Sequence, residues 1–231
     1  MDIIMNDKEK GKRAAGRAAA AFIEDGMTVG LGTGSTAAYF IERLIERCRE
    51  EKLKVVALAT SERSYAQAKA GGICLYDVNQ MNTLDITVDG ADEIDHRKRM
   101  IKGGGGALLR EKIVANMSHE MVVIVDSSKY VEQLGAFPLS IEILPFAYKA
   151  TLHQLQSLGF NGTLRKNSSG IPYVTDNGNY IVDISLNYPC VNPEQENLKL
   201  QSIPGVLETG FFFEMAGRVV IGHSDGHVEI K

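Results

Sequence analysis

One alternation constrains this chain more than any other feature. Four short, nearly all-apolar runs read as strands at residues 27–32, 54–59, 84–88 and 121–125, with helical patterns at 35–50, 61–70 and 106–117. Strands that carry apolar residues on both faces must be buried on both faces. Helices between them supply that cover, so the pattern predicts an α/β fold: a mainly parallel, Rossmann-like sheet with helices on both faces. An alanine-rich run at 14–23, broken by Arg17, reads as an amphipathic first helix ending near Gly26; it is too short to span a bilayer.

The grammar changes after Phe137. Strands at 140–144, 162–165, 181–184 and 206–213 and helices at 148–158 and 193–202 follow in the order βαββαβ, which predicts a smaller α+β ferredoxin-like lobe. Asp176-Asn177-Gly178-Asn179 is a hairpin turn signal, and 218–222 with 227–230 form a last hairpin that returns to the first domain. The expected division is therefore a catalytic domain of residues 1–136 and 209–231, and a lobe of residues 137–208 that serves oligomerisation.

Composition narrows the function. A net charge of −4 gives no general reason to expect nucleic acid. The basic run His96-Arg97-Lys98-Arg99 reads as a solvated turn before it reads as a nucleic-acid site. Three scattered cysteines without a C-x-x-C pair suggest neither a disulfide framework nor a zinc site, and fit reduced thiols in a cytoplasmic protein. No signal-peptide pattern or membrane segment is read. His153, His223 and His227 have no metal-ligand grouping, and Phe211-Phe212-Phe213 is read as lobe core or a subunit contact.

Each strand of the first domain ends in a polar loop: Thr33-Gly34-Ser35-Thr36, Thr60-Ser61-Glu62, Asp89-Gly90-Ala91-Asp92 and Asp126-Ser127-Ser128-Lys129. In a parallel sheet these loops open at one edge, where open α/β sheets bind their ligands. The first loop reads G-x-G-x-G, which is neither a P-loop nor the dinucleotide spacing. It is either an anion cradle at a helix start or a plain glycine turn with its cap. Thr60 either lines the same cavity or caps the next helix.

The turn Val88-Asp89-Gly90-Ala91-Asp92-Glu93-Ile94-Asp95 packs four carboxylates together, at a cost in free energy unless each finds donors. Glu93 and Asp95 are expected to be solvent-facing or structural. Lys102 then precedes four consecutive glycines, 103 to 106. They are either a floppy linker or a backbone surface whose amides face a ligand, and the helical pattern that begins at once favours the second. Glu111 falls one turn into that helix. It either points back toward the loop or is an ordinary first-turn glutamate favoured by the helix dipole.

Together these stretches resemble the type A family of ribose-5-phosphate isomerases. The matching residues are Gly32-Thr33-Gly34-Ser35-Thr36, Val88 to Glu93, Ile101 to Gly105, Arg110-Glu111-Lys112, Asp126 to Lys129, Phe137-Pro138-Leu139, Thr175 to Asn179 and Ile203 to Val206. The likeness runs in order from about residue 8 to the C-terminus. It implies interconversion of ribose 5-phosphate and ribulose 5-phosphate in the non-oxidative pentose phosphate pathway, without a metal or organic cofactor, by a homodimer or homotetramer. It implies Glu111 as base beside Asp89, Asp92 and Lys102. It also implies ligand contacts from Thr33, Gly34, Ser35, Thr36 and Lys129, with Gly90, Ala91, Gly103, Gly104 and Gly105 as further backbone candidates.

The residue chemistry fits that reaction. A carboxylate can move a proton from C2 to C1, an ammonium and amides can hold an enediolate oxygen, and aspartates can bind hydroxyls and relay protons in ring opening. Phosphate is expected at Thr33 to Thr36, aided by Lys129. Two other readings compete. Clustered aspartates also suit a magnesium-dependent phosphotransfer enzyme, but no Walker lysine accompanies them. A sugar-phosphate-sensing regulator shares such a sheet, but no separate helix-turn-helix is seen.

Overall fold

A computed structural model describes residues 6–231. In chain order its strands are β1 (Thr28–Leu31), β2 (Val56–Ala59), β3 (Cys74–Leu75), β4 (Leu84–Gly90), β5 (Glu93–Asp95), β6 (Met100–Ile101), β7 (Ser118–Asp126) and β8 (Tyr130–Val131). They continue with β9 (Leu139–Ile143), β10 (Gly162–Leu164), β11 (Tyr180–Ile184), β12 (Val206–Thr209), β13 (Phe211–Phe212), β14 (Ala216–Gly222) and β15 (Val228–Ile230). The α-helices are α1 (Asp7–Ala19), α2 (Ser35–Glu50), α3 (Glu62–Gly71), α4 (Leu108–Met117), α5 (Tyr148–Ser157) and α6 (Pro193–Gln201).

The chain divides into two compact units. The first holds residues up to Ala91, Arg110–Tyr130 and Met215–Lys231; the second holds Asp92–Leu109 and Val131–Glu214. The expected division at 136/137 and 208/209 falls elsewhere, because residues 92–109 are laced into the second unit. There β6 pairs antiparallel with both β5 and β13, and the amide of Lys102 continues the ladder to the carbonyl of Gly210 at 2.8 Å. The expected strand 206–213 is accordingly split at Gly210, β12 pairing with β9 and β13 with β6.

In the first unit the sheet order is β15-β14-β7-β4-β1-β2-β3. Every neighbouring pair is parallel except β14 with β15. From β1 the chain winds outward through β2 to β3, then returns to the other side of β1 as β4. That reversal opens a crevice at the carboxyl ends of β1 and β4, where doubly wound sheets take their ligands. The apolar faces of α1 and α2 cover one side of the sheet, with Ala15, Ala19, Phe40, Ile41 and Leu44 packed on Val29, Leu31, Val88 and Val122. Val114 of α4 packs with Leu58 and Leu84 in a separate buried group. The first helix starts at Asp7, earlier than the alanine run suggests, because Asn6 caps it by accepting the Glu9 amide at 2.9 Å.

In the second unit the four-stranded sheet β10-β11-β9-β12 is antiparallel throughout. With α5 and α6 it gives the expected βαββαβ order, and its core joins Ile141, Ile143, Val182, Ile184, Leu155 and Leu200. The 176–179 turn forms as expected, with the Thr175 amide reaching the Asn179 carbonyl at 2.9 Å.

Phe40 is fully buried among the residues of the main core. Phe40→Ala should lower the unfolding free energy by about 3–5 kcal/mol, read as a shift of the urea midpoint at unchanged slope.

Candidate active site

The site builds up from a register. Leu31 of β1 lies beside Val88 of β4, so Gly32 falls beside Asp89, and the Gly32 amide donates to the Val88 carbonyl at 3.0 Å. Asp89 is fully buried. Its Oδ1 accepts the amide of Thr33 at 3.0 Å and that of Gly90 at 2.7 Å. The carboxylate therefore ties the two loops of the crevice together. Gly32 has to lack a side chain here: a Cβ would stand 2.2 Å from Asp89 Oδ1.

A chain of hydroxyls fixes the rest of the first loop. Thr60 Oγ1 donates to the Leu31 carbonyl at 3.1 Å and lies 2.7 Å from Thr33 Oγ1. A hydroxyl has one proton, so Thr60 accepts from Thr33. Ser64 Oγ donates to the Gly32 carbonyl at 2.6 Å, and Ser61 Oγ donates to Ser64 Oγ at 3.0 Å. The question of Thr60 is thus resolved. Ser61, not Thr60, is the cap of α3, accepting the Ser64 amide at 3.2 Å, while Thr60 braces Thr33. The cap of α2 is Gly34, with φ 103°, which has no side chain to offer the first-turn amides. Those amides belong to Ser35 and the residues after it, and an anion suits them.

Glu111 lies in the first turn of α4. It precedes Val114 and Ala115 by three and four positions and so shares their buried face. At 4% exposure it is not an ordinary surface first-turn glutamate. Lys129 ends the single 3₁₀ turn after β7, which Asp126 caps by accepting the Ser128 amide at 3.1 Å. Because β7 runs parallel to β4, with Gly90 beside Ile124, this turn opens at the same sheet edge as the Asp89 loop.

Ala91 ends the first segment of the first unit, and Asp92, Lys102 and Gly103 to Gly105 belong to the second unit. Asp92 accepts the Gly104 amide on Oδ2 at 2.8 Å. That amide is engaged with Asp92, a role the sequence does not reveal. Lys102 is 3% exposed, and its ammonium lies 5.4 Å from the ring centroid of Phe212. Phe212 is buried as a core residue, as expected, but it is also a cation–π platform for this lysine.

Glu93 and Asp95 are structural, yet both are buried rather than solvent-facing. Glu93 accepts the amides of Gly135 at 2.7 Å and Phe137 at 2.6 Å. Asp95 accepts the amides of Arg97 and Arg99 and the Arg99 guanidinium, at 2.7 to 3.0 Å. Arg99 also reaches Glu194 at 3.2 Å, so the basic run is partly an ion-pair network and not simply solvated. Among the described residues no group of three His, Cys, Asp or Glu is placed to hold a metal ion, and no helix is long and apolar enough to cross a membrane.

The first unit is thus a doubly wound sheet with a buried acid, Asp89, at its switch point, the class of fold that takes its ligands at that edge. The comparisons make this specific. The profile of ribose 5-phosphate isomerase A (phosphoriboisomerase A) matches residues 56–226. The ribose-5-phosphate isomerase A of Protochlamydia amoebophila (strain UWE25) is 51% identical over 221 residues, which cover 96% of this chain and 95% of that protein. A D-ribose-5-phosphate isomerase solved in complex with phospho-erythronic acid superimposes with a TM-score of 0.91 at 37% identity, covering 98% of this chain and 99% of that one. The ribose 5-phosphate isomerase of Plasmodium falciparum gives a TM-score of 0.91 at 35% identity, covering 96% and 98%. The chain belongs to the ribose 5-phosphate isomerase A family.

Gly32→Ala should force the Asp89 carboxylate off its two amides. The expected result is about 1–3 kcal/mol of lost stability in urea together with a raised KM for the sugar phosphate.

Proposed function

We propose that this chain interconverts D-ribose 5-phosphate and D-ribulose 5-phosphate through an enediolate. Family membership supports the substrate, and one observation carries the chemistry. Asp89, Lys102 and Glu111 are 0%, 3% and 4% exposed, although each stands at the end of a strand or the start of a helix, where charged side chains ordinarily meet water. Ionisable groups held out of water in this way gather where a reaction needs them.

Glu111 removes the proton from C2 of the open-chain aldose. The electron pair of that C–H bond becomes the C1–C2 double bond, and the aldehyde oxygen takes up the negative charge. Glu111 then returns the proton to C1, while the C2 hydroxyl proton passes to the oxygen on C1, leaving the ketone at C2 and a hydroxyl at C1. One carbon is oxidised and its neighbour reduced, so no external redox partner enters. A base of this kind contributes about 10²–10⁴-fold. Lys102 stabilises the developing oxyanion, with the Gly103 and Gly105 amides; loss of one such donor costs about 2.7–4 kcal/mol. Asp89 and Asp92 hydrogen-bond sugar hydroxyls and relay protons in ring opening. The phosphate lies at the start of α2, on the amides and hydroxyls of Ser35 and Thr36, with Lys129 nearby.

The same reading places the protein in the cytoplasm, consistent with free thiols at Cys48, Cys74 and Cys190. It makes the active form a homodimer or homotetramer. Exposed Leu144, Phe146 and Leu207 on the second unit, Phe146 at 81%, support a subunit contact there.

Glu111→Gln tests the assignment. Turnover of ribose 5-phosphate to ketopentose should fall by about 10²–10⁴-fold, with unfolding midpoint and ligand affinity retained. Wild-type turnover in this variant would remove Glu111 as the base. Exhaustive chelation should leave the rate of the unmutated protein unchanged; a loss restored by magnesium would instead favour metal chemistry.

A further inference from the structure

The glycine run that follows Lys102 is gripped by a side chain with no role so far. Arg165 comes just after β10. Its Nε donates to Asp183 Oδ2 at 2.8 Å, and its Nη2 donates to Asp183 Oδ1 and to Ser140 Oγ, the latter at 2.8 Å. Ser140 in turn donates to Asp183 Oδ1 at 3.1 Å. The remaining nitrogen, Nη1, donates to the carbonyls of Gly103 at 3.0 Å and Gly104 at 3.2 Å. Asp183 on β11 therefore aims a planar fork whose free end holds two successive peptide groups of the glycine run.

Peptide planarity carries this grip across the loop. In a trans peptide the N–H points opposite to the C=O. Turning the Gly103 carbonyl toward Arg165 turns the Gly104 N–H away from it, and that N–H is the one that donates to Asp92 Oδ2 at 2.8 Å. The Gly104 carbonyl likewise sets the direction of the Gly105 N–H. Tyr173 completes the support. Its ring lies 5.8 Å from the guanidinium carbon, and its hydroxyl makes a long 3.4 Å contact to the Gly105 carbonyl. Burial, then the nearby Asp176 charge, raises that hydroxyl above its ordinary pKa, so it stays a donor. The glycines lie flush against this wall: a Cβ on Gly103 would sit 2.7 Å from Ser140 Cβ, and one on Gly106 would sit 2.5 Å from the Tyr173 hydroxyl.

We propose that Arg165, aimed by Asp183, is a positioning residue of the isomerase: it fixes the Gly103–Gly105 peptides and, through the Gly104 amide, the carboxylate of Asp92. The assignment rests on the isomerase reading above. The Arg165–Asp183 pair is mostly buried, at 16% and 29% side-chain exposure, so its removal costs stability as well as catalysis, and the two are separated by the readings below. In catalysis a displacement of about 1 Å can cost about 10²-fold.

The test uses R165A, R165K and D183N in the full chain. Lysine keeps the charge and the stem but cannot reach Asp183 and two carbonyls at once. R165A and R165K should lower kcat by about 10- to 100-fold with KM within about threefold, D183N less, and all three should remain folded at the assay temperature. Guanidinium ion added to R165A should restore part of kcat. Hydrogen exchange at the Gly104 and Gly105 amides should accelerate in R165A, in or out of turnover. Wild-type kcat in a folded R165A overturns the proposal. So does a kcat loss that vanishes on cooling in step with regained stability, which marks a general structural role. If R165A does not fold, R165K decides by the same readings. Should the unmutated protein fail to isomerise ribose 5-phosphate, the functional reading fails, whereas the grip on the loop is still judged by amide exchange.

Discussion

A carboxylate with no access to water has to be met by donors, and at Asp89 two of them are backbone amides. The amides of Thr33 and Gly90 converge on one oxygen, which welds the loop after β1 to the end of β4. This one constraint dictates much around it. It requires a residue without a side chain at position 32, and it brings the two loops of the topological reversal into fixed relation. Ser64 then holds the Gly32 carbonyl, and Thr60 holds Thr33. The chain's own hydrogen bonds thereby fix the polar edge of the sheet, and fixed donors are what preorganised recognition requires.

The crowding of acids after Val88 dissolves once each is followed to its donors. Asp89 serves the loops of the sheet. Asp92 takes the amide of Gly104, Glu93 pins the backbone at 135 and 137, and Asp95 closes its own hairpin and neutralises Arg99. Four carboxylates close together in sequence thus meet four different sets of donors, and the repulsion that sequence proximity suggests is spread over two compact units. Two of the four are architecture. They hold the short strands from which Lys102 and the glycine run project.

Much of this was legible in the residues because it is local. Apolar runs of five or six residues between helical patterns give the parallel sheet, and α2 runs over the expected span because its amphipathic pattern is long and Gly34 marks its start. Strands of two or three residues, such as β3, β5 and β6, are too short to show a period and were not foreseen. The candidate acids and Lys102 stood out by clustering and by family likeness. The burial of Glu111 did not, since its helical face is read only once Val114 and Ala115 are seen to be inside. Arg165 gave no signal at all: the carbonyls it holds lie about sixty positions earlier in the chain, and nothing in its own neighbourhood marks it. Phe212 reads as lobe core or a subunit contact, and its task as a platform for Lys102 depends on a strand pairing that the sequence does not announce.

The hydroxyl pair at Thr33 and Thr60 has a consequence for which end of a sugar phosphate each loop residue can greet. With its proton committed to Thr60, Thr33 Oγ1 has only lone pairs left for a ligand. A fully ionised phosphate oxygen brings no hydrogen and would be repelled there, whereas an alcohol group would be welcome. Within a single turn of chain the crevice would therefore sort polar atoms by whether they carry hydrogen: proton-bearing groups at Thr33, bare anionic oxygens two residues onward at the amides that open α2.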